Sequence, residues 1–347
     1  MRAAPDPGID GDWTEPGAYE VSPGLHRVPL PLPNDGLRAV NVYVLDGPDG
    51  LVLVDSGWAI AEARTTLDTA LDALGHSVTD IRRFLITHVH RDHYTQAVYI
   101  RREFGTRVAL GAGDRGNLDI VMREGRPPLA EQMQHLRLLG ADDLAAKLAA
   151  FLGKEHDPVD AGWEYPDDWF RGGERIDAGT LRLDVVPTPG HTQGHVVYHD
   201  TDAGILFGGD HVLPTITPSI GFEPVLSANP LGDFLGSLAT VRARPDARLL
   251  PAHGPVTASA HTRVDELVAH HGQRLDETLA AIAGGSVSAW DVAGQLKWTR
   301  RGRSRDELDP FNQMLAVAET AAHLELLVAQ GRLKRSDVDG LRCYATA

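Results

Sequence analysis

The sequence predicts an α/β fold followed by a small, mainly helical domain. In the first 256 residues, apolar strand-like runs alternate with stretches that have helical spacing. This alternation occurs twice, and in both halves strands end at a histidine or an acidic residue. From about residue 257 the pattern becomes helical. A chain of 347 residues is also long enough for two domains.

Composition excludes several classes of protein. Hydrophobic residues make up 42% of the chain and charged residues 23%, which is typical of globular proteins and not of disordered or fibrous ones. The net charge of −15 disfavours a general nucleic-acid binder, because it repels phosphate at long range. Residues 257–347 hold 11 basic and 12 acidic residues, so most of the negative charge belongs to the preceding part.

Cysteine content and hydropathy indicate the compartment. Cys343 is the one cysteine, so neither an intramolecular disulfide framework nor a cysteine-based zinc site is expected. The N-terminal residues lack the apolar stretch of a signal peptide, and no apolar run is long enough to span a bilayer. We therefore expect a soluble, cytoplasmic protein with no membrane partner.

The first half begins with a Pro/Gly-rich lead of about 20 residues. A turn at 47–50 separates the next two strand-like runs. The apolar spacing of Ile60, Ala63, Leu67 and Leu71 predicts a helix. The predicted strands are 24–33, 39–45, 51–54, 81–90 and 107–111, and the predicted helices are 59–74, 96–104 and 128–152.

An insertion of about 115–172 separates the two halves. Its segment 157–173 is irregular and aromatic, which is typical of either a lid or a packed connection. The large apolar side chains of the insertion are expected either to line a substrate pocket or to form ordinary core. They are Met122, Met133, Trp163, Tyr165, Trp169 and Phe170.

The second half repeats the pattern of the first. The run 181–191 is a predicted strand that ends at a histidine, and 195–210 is a predicted hairpin that ends at an acid. Three helices and a hairpin around Asp339-Gly340 follow, a combination typical of a winged-helix-like domain. The predicted domains are an extension (1–20), a catalytic domain (21–256) and a C-terminal domain (257–347).

The most informative motif is the run Thr87-His88-Val89-His90-Arg91-Asp92-His93, directly after a strand. Strand alternation places His88 and His90 on one side, whereas Asp92 and His93 enter the next turn and are free to face the other way. The motif therefore predicts two adjacent metal positions, with ligands that suit zinc and also iron or manganese. The simpler interpretation is a solvated polar loop.

Three further strand ends carry one ligand type each, at His191, Asp210 and His253. With these motifs in this order, residues 20–256 resemble the metallo-β-lactamase superfamily. The resemblance implies an αββα sandwich with the site at one edge. It also implies two divalent metal ions, the first on His88, His90 and His191, the second on Asp92, His93 and His253, with Asp210 bridging them.

Two further residues are expected to support the site. Asp55, at the end of the first apolar strand, would orient ligands as the corresponding acid does in the family; a turn or N-cap before Ser56-Gly57 is the alternative. His195 is expected to pack beside the site and not to ligate. Family members often continue this motif as a D-H-x-G-G run, whereas this chain has Asp92-His93-Tyr94-Thr95-Gln96, so Tyr94 or Gln96 is expected to fill space that the glycines leave open.

Two cations a few ångströms apart lower the pKa of a shared water, so the expected reaction is hydrolysis by metal-bound hydroxide at an activated acyl carbon. Asp92 and Asp210 are the predicted catalytic residues, with Asp92 holding or relaying the proton of the water. No tyrosine or lysine motif supplies a general acid. This favours a thioester, whose thiolate leaves without protonation, over a lactone or other ester.

The resemblance also bears on three other activities found in the superfamily. True β-lactamases generally lack the bridging aspartate, and flavo-diiron proteins typically have an acid at the position of His90, so both activities are disfavoured. Persulfide dioxygenases share the histidine pattern with a single iron, and this alternative stays open.

The C-terminal part resembles the winged-helix appendage of the lactamase-beta-like subgroup, some members of which act on RNA. The basic run Lys297–Arg305 would then contact phosphate, with Trp298 stacking on a base. The rival function is thus a metal-dependent ribonuclease or a nucleic-acid-binding protein. The same run also fits a solvated loop or a clamp on an anionic substrate tail. A small acyl substrate is the favoured partner, and self-association is left open.

Overall fold

The first β-sheet contains eight strands that follow one another in sequence order. The computed structural model describes residues 3–33, 35–152, 162–282 and 287–347. The first pair of neighbouring strands and the last three pairs are parallel, and the three pairs between the second and fifth strands are antiparallel. Its strands are β1 (Ala4–Pro5), β2 (Tyr19–Ser22), β3 (Leu25–Pro31), β4 (Ala39–Gly47), β5 (Gly50–Val54), β6 (Ile81–Leu85), β7 (Arg107–Gly111) and β8 (Asp168–Phe170).

The second sheet has five strands in the order β13-β12-β11-β10-β9. They are β9 (Arg175–Ala178), β10 (Leu181–Pro187), β11 (Val196–Asp200), β12 (Ile205–Gly209) and β13 (Arg248–Pro251). Because β11 is antiparallel to both β10 and β12, and β13 is parallel to β12, the strands β10, β12 and β13 run in one direction. Their carboxyl ends therefore lie at the same edge of the sheet.

A buried apolar core joins the two sheets. Along β4, Val42 and Val44 point into the core on the outer side of the first sheet, whereas Tyr43 and Leu45 point toward the second sheet. Tyr43 meets Phe207 of β12 edge to face, with ring centroids 5.3 Å apart. This alternation is the period of a strand that is buried on both faces. The two facing sheets match the predicted sandwich.

Nine helices lie within the described residues. The first carries Ala63, Leu67 and Leu71 on its buried face and ends at Gly75, whose φ of 82° closes the last turn. The helices are α1 (Ala61–Leu74), α2 (Arg91–Phe104), α3 (Arg115–Val121), α4 (Ala130–Leu138), α5 (Asp142–Leu152), α6 (Pro230–Arg242), α7 (Ala260–Ala281), α8 (Ala289–Gln295) and α9 (Pro310–Ala329). Within the described residues, none of these helices is long and apolar enough to cross a membrane.

The chain divides into two compact units. The first comprises the described parts of Met1–Met122, Val159–Pro218 and Ser237–Val264, and the second those of Arg123–Pro158, Ser219–Gly236 and Asp265–Ala347. Helices α4 and α5 of the insertion thus group with the C-terminal residues in this division, whereas α3 belongs to the first unit. This division into units depends on contacts between segments that are distant in the sequence, and the pattern of residues along the chain does not reveal such contacts. The functional domain limits of 21–256 and 257–347 stay a prediction.

The C-terminal residues contain the predicted three helices and hairpin. Ser288 caps α8 by accepting a hydrogen bond from the Asp291 backbone N–H. The hairpin consists of β14 (Leu333–Val338) and β15 (Leu341–Thr346), and its turn residues Asp339 and Gly340 both have positive φ. The comparison with a winged helix stays a prediction.

The described part of the aromatic segment is a packed connection. The Trp163 ring stacks on Tyr94 with centroids 6.2 Å apart, and Trp169 packs against the first-sheet core together with Met122. Phe170 is buried between the two sheets. These are the contacts of core residues. Residues 157–161, which belong to the same predicted segment, lie outside the described residues.

Candidate metal centre

Polar side chains follow the carboxyl ends of strands from both sheets. Asp55 comes directly after β5, and Asp210 directly after β12. His191 and His253 follow β10 and β13 within a few residues, and the histidine motif follows β6. The helix α2 begins at Arg91, so Asp92 and His93 lie in its first turn, where the helix dipole favours a carboxylate.

One cluster contains His88, His90, His191 and Asp210. A ligand atom from each of these side chains lies within 4.8 Å of the others. His90 Nδ1 is 3.0 Å from His88 Nε2 and 3.1 Å from His191 Nε2. His191 Nε2 is also 3.5 Å from Asp210 Oδ2. The motif from the first sheet thus meets residues from the second.

The adjacent cluster contains Asp92, His93 and His253, and the other oxygen of Asp210 faces it. Asp210 Oδ1 lies 3.6 Å from His93 Nε2 and 3.4 Å from His253 Nε2. Asp92 Oδ2 lies 3.6 Å and 3.4 Å from the same two nitrogens. Asp210 therefore presents one carboxylate oxygen to each cluster.

Buried atoms without hydrogen-bond partners show that the residues present fit a metal. Within the described residues, His93 Nε2, His253 Nε2 and Asp210 Oδ1 have no hydrogen-bond partner. Buried polar atoms are normally paired, and three such atoms that face one point are suited to share a cation. Imidazole nitrogens and carboxylate oxygens are the donor set that Zn²⁺, Fe²⁺ and Mn²⁺ accept. The two clusters fit metal binding.

The opposite ring nitrogens are fixed by partners outside the clusters. His93 Nδ1 donates to Asp55 Oδ2 at 2.9 Å, and His253 Nδ1 donates to the Ala39 carbonyl at 2.7 Å. Each bond orients its ring, so Nε2 faces the site and is the nitrogen available to a metal ion. Asp55 also accepts a hydrogen bond from the Thr87 backbone N–H at 2.8 Å. The backbone of Asp55 itself has a positive φ of 61°. This carboxylate joins the end of β5 to the motif, which is more than a local turn contact.

His195 lies beside the clusters with both nitrogens in use. Its Nε2 accepts from the Asp210 backbone N–H at 3.1 Å, and its Nδ1 is 2.8 Å from Thr188 Oγ1. It thereby supports the backbone that carries Asp210. Neither Tyr94 nor Gln96 uses its polar end in the clusters, because the Tyr94 hydroxyl donates to the Glu164 carbonyl and Gln96 Nε2 donates to the Ser56 carbonyl.

Asp114 is a structural residue of the site that the sequence analysis missed. It is buried after β7, and its Oδ2 accepts from the Val89 N–H at 2.9 Å and from Thr192 Oγ1 at 3.0 Å. Its Oδ1 accepts from the Gly194 N–H at 2.8 Å. It thus ties the loop of His88 and His90 to the loop of His191. The only available signal was an acid three residues after a strand, as in the run RVALGAGD.

The electrostatics of the site favour positive charge at its centre. Burial alone would lower the pKa of His93, but the carboxylates of Asp92, Asp55 and Asp210 outweigh it and raise this pKa to about 10. Burial alone would raise the pKa of Asp92, but His93 and His253 hold it well below its usual range. The Asp92 carboxylate is therefore ionised at neutral pH, the form that binds a cation.

Comparisons with known proteins agree with this geometry. The model of the metallo-beta-lactamase superfamily matches residues 35–253. "Probable metallo-hydrolase YqjP" of Bacillus subtilis is 24% identical over 323 residues, which cover 88% of this chain and 91% of that protein. A hydroxyacylglutathione hydrolase of Erythrobacter litoralis is 34% identical over 105 residues, which cover 28% of this chain and 39% of that protein.

Solved structures extend the comparison to the whole chain. A beta-lactamase domain protein from Burkholderia ambifaria has a TM-score of 0.80 at 28% sequence identity, covering 99% of this chain and 98% of that one. The family model covers well over half of the chain and contains all seven clustered side chains. The chain belongs to the metallo-β-lactamase superfamily and is a hydrolase of that superfamily.

Proposed function

We propose that the protein hydrolyses an activated acyl compound, with a thioester as the favoured substrate, and that it uses two divalent metal ions. The position of Asp210 carries this proposal. One of its oxygens is 3.5 Å from His191 Nε2, and the other is 3.4 Å from His253 Nε2. A carboxylate with one oxygen toward each of two histidine clusters is suited to bridge two ions.

Each side chain then has a defined role. His88, His90 and His191 would hold one ion, Asp92, His93 and His253 the other, and Asp210 both. When bound, a pair of zinc ions would supply an activated water and polarise the acyl carbonyl; iron or manganese fits the same ligands. Asp92 and Asp210 are the proposed catalytic residues. Asp92 is the more exposed carboxylate, with 14% of its side chain accessible, and is placed to take the proton of the water.

The leaving group is inferred from the hydroxyls that could protonate it. Three buried tyrosines lie on elements next to the site, and each hydroxyl donates to a backbone carbonyl: Tyr43 to Pro251, Tyr94 to Glu164 and Tyr198 to Ile86. These hydroxyls are therefore engaged in holding the fold. A thiolate leaves without a proton far more readily than an alkoxide, because thiols are much stronger acids. The relatives named hydroxyacylglutathione hydrolase support the same substrate class.

The nucleic-acid alternative depends on the basic run at 297–305. Trp298 is buried, its ring lies 4.1 Å from the Arg274 guanidinium, and its Nε1 donates to the Ala293 carbonyl. Arg305 is also buried and donates to the Trp290 carbonyl. The aromatic ring and one arginine that would contact RNA are thus used inside the fold. This observation favours the small acyl substrate over RNA.

A substrate panel tests the proposal. Zinc-loaded protein is assayed with an acyl-coenzyme A, an acylglutathione, a lactone and single-stranded RNA, each with and without a chelator. We expect chelator-sensitive hydrolysis of a thioester at a higher kcat/KM than the lactone. Chelator-sensitive cleavage of RNA without acyl hydrolysis would overturn the proposal in favour of the rival function.

A further inference from the structure

A second group of histidines lies in the C-terminal helices and is formed entirely by residues of the second unit. His270 and His271 belong to α7, and Glu319 belongs to α9; their ligand atoms lie within 4.8 Å of one another. His323 follows Glu319 by four residues, so both side chains lie on the same face of α9. We propose that His270, His271 and Glu319 form an additional binding site for a divalent transition-metal ion such as Zn²⁺.

The hydrogen bonds of His323 determine which nitrogen of His271 is available. His323 Nδ1 lies 2.8 Å from the Glu319 carbonyl oxygen, and a carbonyl accepts, so this nitrogen carries the proton. His323 Nε2 is then an acceptor, and it accepts a hydrogen bond from His271 Nδ1–H at 3.1 Å. The lone pair of His271 is consequently on Nε2. Within the described residues this buried atom has no hydrogen-bond partner.

This arrangement is the one that metal-binding histidines use. A ligating imidazole donates its other N–H to a neighbouring acceptor, which fixes its tautomer and its orientation. Here His323 is that acceptor, and the Glu319 carbonyl in turn orients His323. Burial, followed by the nearby His323, lowers the pKa of His271 to about 3, so its ring is neutral at pH 7. A neutral, oriented and unpaired imidazole is ready to bind a cation.

His270 and Glu319 supply the other two protein ligands. His271 is buried, Glu319 is half-buried and His270 is exposed, so the site opens to solvent on one side. Two imidazoles and one carboxylate leave a position for water. Tetrahedral zinc places its ligand atoms about 3.4 Å apart, so the exposed His270 needs only a small side-chain movement.

Charges around the cluster partly oppose a cation. Arg274 is the neighbouring positive group, but its guanidinium donates to Glu277 and to the Lys297 carbonyl, both at 3.0 Å. Glu319 supplies the negative charge. Burial raises the pKa of Glu319, so binding of the ion would displace a proton when the carboxyl is protonated.

Zinc titration of matched variants tests the site. Chelator-treated protein is titrated with Zn²⁺ in competition with a chromophoric chelator. We expect wild type to bind one more equivalent than either His270→Gln or Glu319→Gln. The control His261→Gln changes a histidine on the same helix, about 13 Å along its axis, and should bind as wild type does. Equal stoichiometry and affinity in wild type and both site variants would overturn the proposal.

A second background separates this site from the metal centre. The titration is repeated in proteins that also carry Asp210→Ala, where occupancy of the metal centre is reduced. The difference of one equivalent between the presence and absence of His270→Gln should persist, and Zn²⁺ should raise Tm more when His270 is present. If the difference disappears with Asp210→Ala, the extra equivalent belongs to the metal centre and the proposal fails.

Discussion

Each of the two histidine clusters contains a buried histidine, but the charges around the two rings differ in sign. In the metal centre, His93 lies beside three carboxylates, which outweigh burial and raise its pKa to about 10. In the helical cluster, His271 is surrounded mainly by other histidines and by Arg274, and burial lowers its pKa to about 3. Both rings are buried, so the neighbouring charges decide which of the two histidines is more readily protonated.

Removal of the shared carboxylate should have the largest effect. Asp210→Ala takes away the oxygen atoms that face both clusters, so we expect the loss of one or both metal ions. The kcat/KM for a thioester should fall by about 10³-fold or more, as expected for loss of a group that acts on the reacting centre. Metal analysis and steady-state kinetics measure the two effects.

The control for this variant is Asp202→Ala, which changes an exposed aspartate in the turn between β11 and β12. It should keep full activity and metal content. Circular dichroism of both variants verifies the fold. Two metal ions per chain together with undiminished turnover in Asp210→Ala would contradict the bridging role.

Asp55→Asn should have the next largest effect. Asparagine tolerates the φ of 61° found at this position, so the backbone is preserved while the negative charge beside His93 is lost. Loss of such an orienting partner typically reduces metal affinity or activity by about 10- to 100-fold. Asp339→Asn is the matched control, because Asp339 also has a positive φ, of 50°, and lies in the exposed C-terminal turn. Equal zinc affinity and kcat/KM in Asp55→Asn and wild type would show that the carboxylate does not support the site.

The histidine motif and the strand ends could be predicted from sequence because their signal is local. Each ligand follows an apolar run, and parallel strands bring such ends together. The contributions of Asp114 and of the pair His271 and His323 could not be predicted in this way. Their partners lie 25 to 80 residues away, and the contacts exist only once loops or helices have packed. The sequence also gave no sign that α4 and α5 group with the C-terminal residues.

A smaller effect is expected from pH at His199, a buried histidine outside both clusters. Its pKa is lowered to about 4 by burial and by Arg244, whose Nε donates to His199 Nδ1 at 2.8 Å. Because the unfolded chain binds this proton more readily, the free energy of unfolding should fall as the pH drops from about 6.5 toward 4. At pH 5 we expect His199 to lower the free energy of unfolding by about 1 kcal/mol relative to its value at pH 7.5, after allowance for solvent screening.

Urea unfolding at pH 7.5 and pH 5 measures this contribution. His199→Gln keeps an acceptor for Arg244 but does not titrate, so its stability should depend less on pH than that of wild type. An identical pH dependence in the two proteins would show that His199 does not contribute to the pH dependence of stability.

The smallest effect is expected at the exposed arginines of the basic run. Arg301→Ala combined with Arg303→Ala removes two solvated charges, so hydrolysis of a short acyl thioester should change by no more than about twofold. Kinetics with an acylglutathione and an acyl-coenzyme A measure this directly. A selective rise in KM for the coenzyme A ester would instead assign the run to an anionic substrate tail.

The most direct test of the account is an anomalous diffraction map of the zinc-loaded protein, recorded at the zinc absorption edge. The account predicts two peaks in the metal centre, one bounded by His88, His90 and His191 and one by Asp92, His93 and His253, with Asp210 contacting both. A map from metal-replete crystals with no peak among these side chains would contradict it.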